Sequence, residues 1–178
     1  MCSHVTMQQL AGSIALEDLL VAMRTTRSVF HSEADFQHHL AWQAHLLDPQ
    51  LQVRLEFRPD TRIRESVDVM LFRLDLGIAT FIELKYLKAA WSGLVSSERF
   101  DRPNTGSHDI VRYDVIKDIE RLERFVDGRP GSTGLMLCLT NGSLNTFNLR
   151  LHGCSLGAWV VRDSRWCGTR MVLGTGSR

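Results

Sequence analysis

The 178-residue chain has no CxxC pair among its four cysteines and no run of 18 apolar residues. Its first residues, MCSHVTMQQL, lack a basic start followed by an apolar stretch. From these absences we expect no paired-cysteine zinc site, no transmembrane helix, no evident signal peptide and a cytoplasmic protein. An excess of one charge is lacking too: 21 Lys+Arg face 20 Asp+Glu, for a net charge of +1. That balance argues against a protein that coats nucleic acid by bulk electrostatics, and leaves room for a local site. Internal repeats are absent as well. The length suits one domain over 1–178, since domains run to ~100–200 residues. Such a fold buries about 70% of its unfolded surface and needs no covalent staples. Cys2, Cys138, Cys154 and Cys167 read as reduced thiols. His38 and His45 share a helical face but lie about 10 Å apart, too far for one metal. With His39 they read as surface histidines.

What is present is a mixed α/β pattern. Residues 13–27 carry apolar groups at helical spacing. Ser32, with Asp35 three positions on, resembles a capping box opening a second helix with Phe36, Leu40, Ala44 and Leu47 on one stripe, ended near Pro49. Placed at 100° per residue, Glu33 falls about 35° from the centre of that stripe. A carboxylate there either serves the helix N-terminus or faces inward for another purpose. The run 51–57 alternates Leu51, Val53, Leu55 and Phe57 with polar residues, as a half-buried strand does. Runs 66–74 and 77–86 are more continuously apolar, and the short link before Gly77 fits a hairpin. Residues 87–106 lose all pattern and read as a long loop, either functional or mobile. Ser107 can cap a third helix striped by Val111, Val115, Ile119, Leu122 and Val126 and stopped by Gly128 and Pro130. Residues 134–140 read as a buried strand.

The last 36 residues differ in kind, with five Arg, one acidic residue (Asp163) and no Lys or Glu. LGAWVV (156–161) could be one more strand, without a clean continuation. We expect this Arg/Gly-rich tail, 143–178, to be atypical, its native end lost or altered. Without it, residues 1–142 hold 16 basic and 19 acidic groups.

Asp68, Glu83 and Lys85 carry the chemistry. Asp68 interrupts an apolar strand between Val67 and Val69. Glu83 and Lys85 project from one face of the next strand, with Ile82, Leu84 and Tyr86 on the other. Two carboxylates about 4 Å apart repel by roughly 4 kcal/mol at an effective dielectric near 20. A lysine offsets part of that, and a hard divalent cation offsets more. The same residues also admit a structural account, a buried Asp68–Lys85 ion pair with Glu83 at a strand end.

Asp68, fourteen intervening residues and then Glu83-Leu84-Lys85 resembles the PD-(D/E)XK nucleases. The likeness covers about residues 32–140 and includes the order: a helix with an inward Glu, a strand, a strand bearing Asp, a strand bearing ExK, a helix, a strand. Val67 stands where the motif's proline would be. The resemblance implies a restriction-endonuclease-like fold, with a mixed central sheet flanked by helices. It implies Mg²⁺, with Mn²⁺ as a substitute, held by Asp68, Glu83, the Leu84 carbonyl and Glu33, while Lys85 positions the attacking water. The expected activity is phosphodiester hydrolysis on nucleic acid, DNA first, with a homodimer compatible with the family. The competing expectation is an inactive module of the same fold, acting in protein interaction or regulation. On the following helix Arg112 is the candidate phosphate contact, with Tyr113 facing nearly opposite, Asp118 flanking the core stripe, and Asp114 and Lys117 outermost. Further basic candidates are Lys88, Arg99 and Arg102 in the loop, and Arg54, Arg58, Arg62 and Arg64 around the first strand.

Overall fold

The Ser32 hydroxyl accepts the Asp35 amide at 3.0 Å, which satisfies one of the free N–H groups at a helix start. In the computed structural model, which describes residues 8–27, 29–59, 64–87, 90–103, 108–140, 156–162 and 169–172, helix α2 (Glu33–Leu47) starts from this cap. The reciprocal arm of the expected capping box is redirected. Asp35 Oδ2 accepts the His31 amide at 2.9 Å and Oδ1 the Arg27 guanidinium at 2.8 Å. Phe36, Leu40 and Ala44 are buried as their spacing predicts, whereas Leu47 in the last turn is 40% exposed. A short β1 (Gln9–Leu10) and β2 (Ile14–Ala15) pair lead into α1 (Leu16–Thr26), which packs on α2. His38 and His45 are exposed, while His39 is half-buried with Nε2 3.0 Å from the Thr26 hydroxyl.

A six-stranded sheet forms the middle layer. Strands β3 (Gln52–Phe57), β4 (Val67–Arg73) and β5 (Ile78–Leu87) are antiparallel neighbours. The chain then crosses through α3 (His108–Val126) to β8 (Thr133–Thr140), parallel to β5. The β4–β5 turn closes on Gly77, whose φ of +64° suits a residue without a Cβ. Helices α1 and α2 cover one face, where Leu16, Leu19, Phe36 and Leu40 meet Leu71, Ile82, Leu84 and Leu137. On the other face, Val115, Ile119, Leu122 and Phe125 of α3 meet Phe81, Met136 and Cys138. Each such fully buried aliphatic or aromatic side chain contributes roughly 1.5–3 kcal/mol.

The strict alternation expected for residues 51–57 holds only as far as Leu55. Val53 and Leu55 pack with the α1–α2 core, but Phe57 packs with the α3 core. Glu56 between them has φ +49°, a left-handed backbone that breaks the period of two.

One further expectation is corrected. Residues 87–106 do not remain a loop: β6 (Trp91–Val95) and β7 (Glu98–Arg102) form a hairpin. Ser96 and Ser97 make its two-residue turn with φ +49° and +69°, the geometry usually marked by Asn-Gly. The hairpin docks through Phe100, buried and stacked 4.3 Å from His31, and through Glu98, which receives His31 and Arg27. Of residues 143–178, the described ones form β9 (Leu156–Arg162), where 156–161 reads as a strand, parallel to β8, and β10 (Thr169–Val172) antiparallel to β9. The resulting strand order is β10-β9-β8-β5-β4-β3.

Candidate functional site

Asp68 lies where β4 leaves β5 and where its pairing with β3 skips one residue. Pairing with β3 passes from Leu55↔Val69 to Phe57↔Val67 and skips Asp68, and pairing with β5 ends at Val69↔Ile82. Beyond Ile82, β5 continues to Leu87 alongside β8, and among the described residues no strand pairs with its other edge there. Carboxylates take the place of the missing strand. Asp68 Oδ2 accepts the Leu84 amide at 2.6 Å, and Glu33 Oε2, from the first turn of α2, accepts the Tyr86 amide at 2.8 Å. In an extended strand the N–H and C=O of one residue point the same way, so the Leu84 carbonyl faces this gap as well. Gln37 fixes the backbone of β4 from α2, donating to the Asp68 carbonyl at 2.7 Å and to Glu56 at 2.9 Å.

Glu83 and Lys85 project to the opposite face of β5, toward α3, as alternation predicts. Each finds a partner there that the sequence reading did not assign. Arg121 Nε donates to Glu83 Oε1 at 2.8 Å, and its Nη2 stands 2.7 Å from Oε2 without hydrogen-bond alignment. The same Nη2 donates to Asp118 Oδ1 at 2.8 Å, and Lys85 Nζ lies 2.9 Å from Asp118 Oδ2. Glu83 and Asp118 side chains are 1% and 8% exposed, while Lys85 and Arg121 are each 24% exposed. Asp68 joins this network through its charge, which acts on Glu83.

Among the described residues, Glu33, Asp68, Glu83 and Asp118 meet Lys85 and Arg121 here, with Glu56 acting on Asp68 as well, so acids outnumber bases. Protonation relieves part of that excess. Burial pushes Glu83 up to about 8; Arg121 opposes this, and the Asp68 charge adds to it. Burial likewise raises Asp68 against the Leu84 amide and Lys85, and raises Glu33 against the Tyr86 amide. Lys85 moves the other way from an ordinary buried lysine. Burial works against its charge, but Asp118, with Glu33 and Asp68 further off, outweighs that and raises its pKa.

The structure thus gathers Glu33, Asp68, Glu83, Leu84 and Lys85 around one strand end. The Asp68–Lys85 ion pair of the structural account is replaced by Lys85–Asp118. Arg112 falls in the first turns of α3, where its side chain lies outside the described residues, as do Lys88, Arg62 and the Arg102 side chain. Arg54, Arg58, Arg64 and Arg99 are exposed, and Arg54 bonds within its own strand. Tyr113, Asp114 and Lys117 sit on the solvent side, with the Lys117 ammonium 4.4 Å from the Tyr113 ring centroid. Arg121 was the missed residue. The available signal was its one-turn spacing from Asp118 beside the Val115–Ile119–Leu122 stripe.

No family model, curated protein or solved structure matches the chain.

The donor set fits a hard divalent cation in kind and in charge. It consists of carboxylate and carbonyl oxygens, and the buried Glu83 Oε2 and Asp118 Oδ2 accept no aligned hydrogen bond. The present arrangement does not bring three of these acids to one point. Among the described residues no three carboxylate, imidazole or thiol groups converge as a ligand set, and Arg121 and Lys85 are interleaved with the acids instead.

Proposed function

We propose that the chain is a PD-(D/E)XK-type, Mg²⁺-dependent phosphodiesterase acting on nucleic acid, with DNA as the first substrate to test. The observation that carries this reading is the meeting of Asp68, Glu83 and Lys85 where β4 leaves β5, with Glu33 reaching the same gap from α2. Apolar packing does not call for charges there. Each is buried or half-buried, and desolvation raises the pKa of all three acids. The order α2–β3–β4–β5–α3–β8, an antiparallel trio followed by a parallel crossover, supports the restriction-endonuclease-like arrangement.

Asp68, Glu83 and the Leu84 carbonyl would hold the cation, with Glu33 as a further oxygen donor. When bound, Mg²⁺ supplies an acidified water and positive charge against the phosphate. Lys85 does a separate job. Its raised pKa keeps it an ammonium at neutral pH, so it cannot take the water's proton. It orients the attacking water and stabilises charge building on the phosphate oxygens. Asp118 aims the ammonium from below, and Gln37 holds the Asp68 backbone.

Cleavage of single- and double-stranded oligonucleotides with Mg²⁺, compared with EDTA, tests the reading. The expected result is EDTA-sensitive cleavage that Asp68→Asn abolishes. Equal cleavage by wild type and that variant overturns the site assignment.

One observation favours a second reading, a non-catalytic module of the same architecture. Arg121 already lies against both oxygens of Glu83, as a permanent counter-ion would. In that case neither Mg²⁺ nor Mn²⁺ binds, and neither shifts the melting temperature.

A further inference from the structure

We propose that Arg121 is the fold's own counter-ion for the ionised form of Glu83, and that a divalent cation engages Asp68 and Glu83 only by displacing it. The inference rests on the reading of Asp68 and Glu83 as a cation site, and it adds what sets the affinity of that site.

The geometry argues for competition rather than coexistence. A guanidinium meets a carboxylate as a planar fork and covers both oxygens, which an ammonium cannot do. Arg121 approaches both oxygens of the carboxylate, with Nε donating to Oε1 at 2.8 Å and Nη2 2.7 Å from Oε2 but turned to donate to Asp118. The Glu83 side chain is 1% exposed, so water offers it no second approach. A cation that takes either oxygen meets the guanidinium at van der Waals range, and the two positive charges repel across a poorly hydrated gap.

Displacement also has a prepared destination. Asp118 lies one helical turn before Arg121 and already accepts Nη2 at 2.8 Å. Arg121 can therefore release Glu83 and keep a carboxylate partner, swinging toward solvent on a side chain already 24% exposed. Lys85 stays on the other oxygen of Asp118 at 2.9 Å, so the move need not disturb it. Arg121 is thus a positioning residue: it holds Glu83 in place before the cation arrives and weakens the cation's binding.

Mn²⁺ titration followed by electron paramagnetic resonance, on wild type, Arg121→Gln and Arg121→Lys, tests this without reference to cleavage. Arg121→Gln should bind Mn²⁺ at least about tenfold tighter than wild type, and Arg121→Lys should fall between them. In wild type, Mg²⁺ should also move the Arg121 Nε–H resonance. A merely structural arginine would give the opposite sign, since its loss loosens the site and weakens binding. Affinities within twofold of each other overturn the competition and leave the cation site standing. If neither wild type nor Arg121→Gln binds Mn²⁺, the cation-site reading fails with it. Should Arg121→Gln fail to fold by circular dichroism, Arg121→Lys decides, and an unchanged affinity there overturns the proposal.

Discussion

The carboxylate of Asp68 accepts the backbone amide of Leu84 at 2.6 Å, in the stretch where β4 no longer pairs with β5. Glu33 does the same for Tyr86 two residues on. These acids have a structural task whatever else they do, because an unpaired buried amide costs about 1–3 kcal/mol. Structure and chemistry must therefore be separated by the choice of variant.

Asp68→Asn keeps an acceptor for the Leu84 amide, while Asp68→Ala does not. We expect Asp68→Asn to unfold in urea close to wild type, and Asp68→Ala to lose about 1–3 kcal/mol. Both should lose Mg²⁺-dependent cleavage by at least about 100-fold. If cleavage tracks stability instead, Asp68 is a strand-edge cap and nothing more.

Lys85→Ala should be both inactive and unstable, since it strips a cation from Asp118, whose side chain is 8% exposed. Breaking a buried pair on one side costs about 3–5 kcal/mol. The half-exposed fringe of this pair, and the Arg121 bond that Asp118 retains, place the expected loss at the lower end. Lys85→Ala with Asp118→Ala should regain much of the stability and none of the activity. Recovered cleavage in the double variant would remove Lys85 from the mechanism.

The pH dependence of stability should have a defined sign. Glu83, pushed up to about 8 by burial, holds a proton in the folded protein at pH values where the unfolded chain has released it. Its contribution is complete below an unfolded pKa near 4.5 and is lost as pH rises through about 8. Glu33 and Asp68 are raised too and act in the same direction. The wild-type melting temperature should fall between about pH 5 and pH 9, and Glu83→Gln should flatten most of that decline. Because Mg²⁺ competes with the same proton, it should stabilise wild type more at about pH 8.5 than at about pH 6. Parallel profiles for wild type and Glu83→Gln would show that Glu83 does not titrate in this range.

The β6–β7 hairpin should tighten when its turn is given the residues its backbone prefers. Ser96→Asn with Ser97→Gly relieves two left-handed serines and should stabilise the hairpin by up to about 1 kcal/mol. Hydrogen exchange of amides 91–102 should slow, with little change elsewhere. Faster exchange would contradict the turn geometry.

Much of this arrangement was readable from the chain alone, for local reasons. Ser32 marks the start of α2 because capping depends on a few neighbouring residues. Glu83 and Lys85 share a face, opposite Leu84 and Tyr86, because strand periodicity fixes that wherever the strand packs. Glu33 points inward because its angle from the Phe36–Leu40–Ala44 stripe is set by helical geometry.

The rest depended on relations between distant segments. The Ser96–Ser97 turn lacks the Asn-Gly signal, and its hairpin is held by Phe100 against His31, a contact across 69 positions that no local window contains. The point at which β4 leaves β5, beside Asp68, depends on the register of three strands brought together from separate segments. Above all, the partners of Glu83 and Lys85 were decided by the rotation of α3 on the sheet. The packing of Val115, Ile119 and Leu122 sets that rotation and carries Asp118 and Arg121 to the carboxyls. The sequence determined which charged groups would face one side of β5. Only the tertiary structure decided which charges would neutralise them, because that depends on how the two core layers pack together.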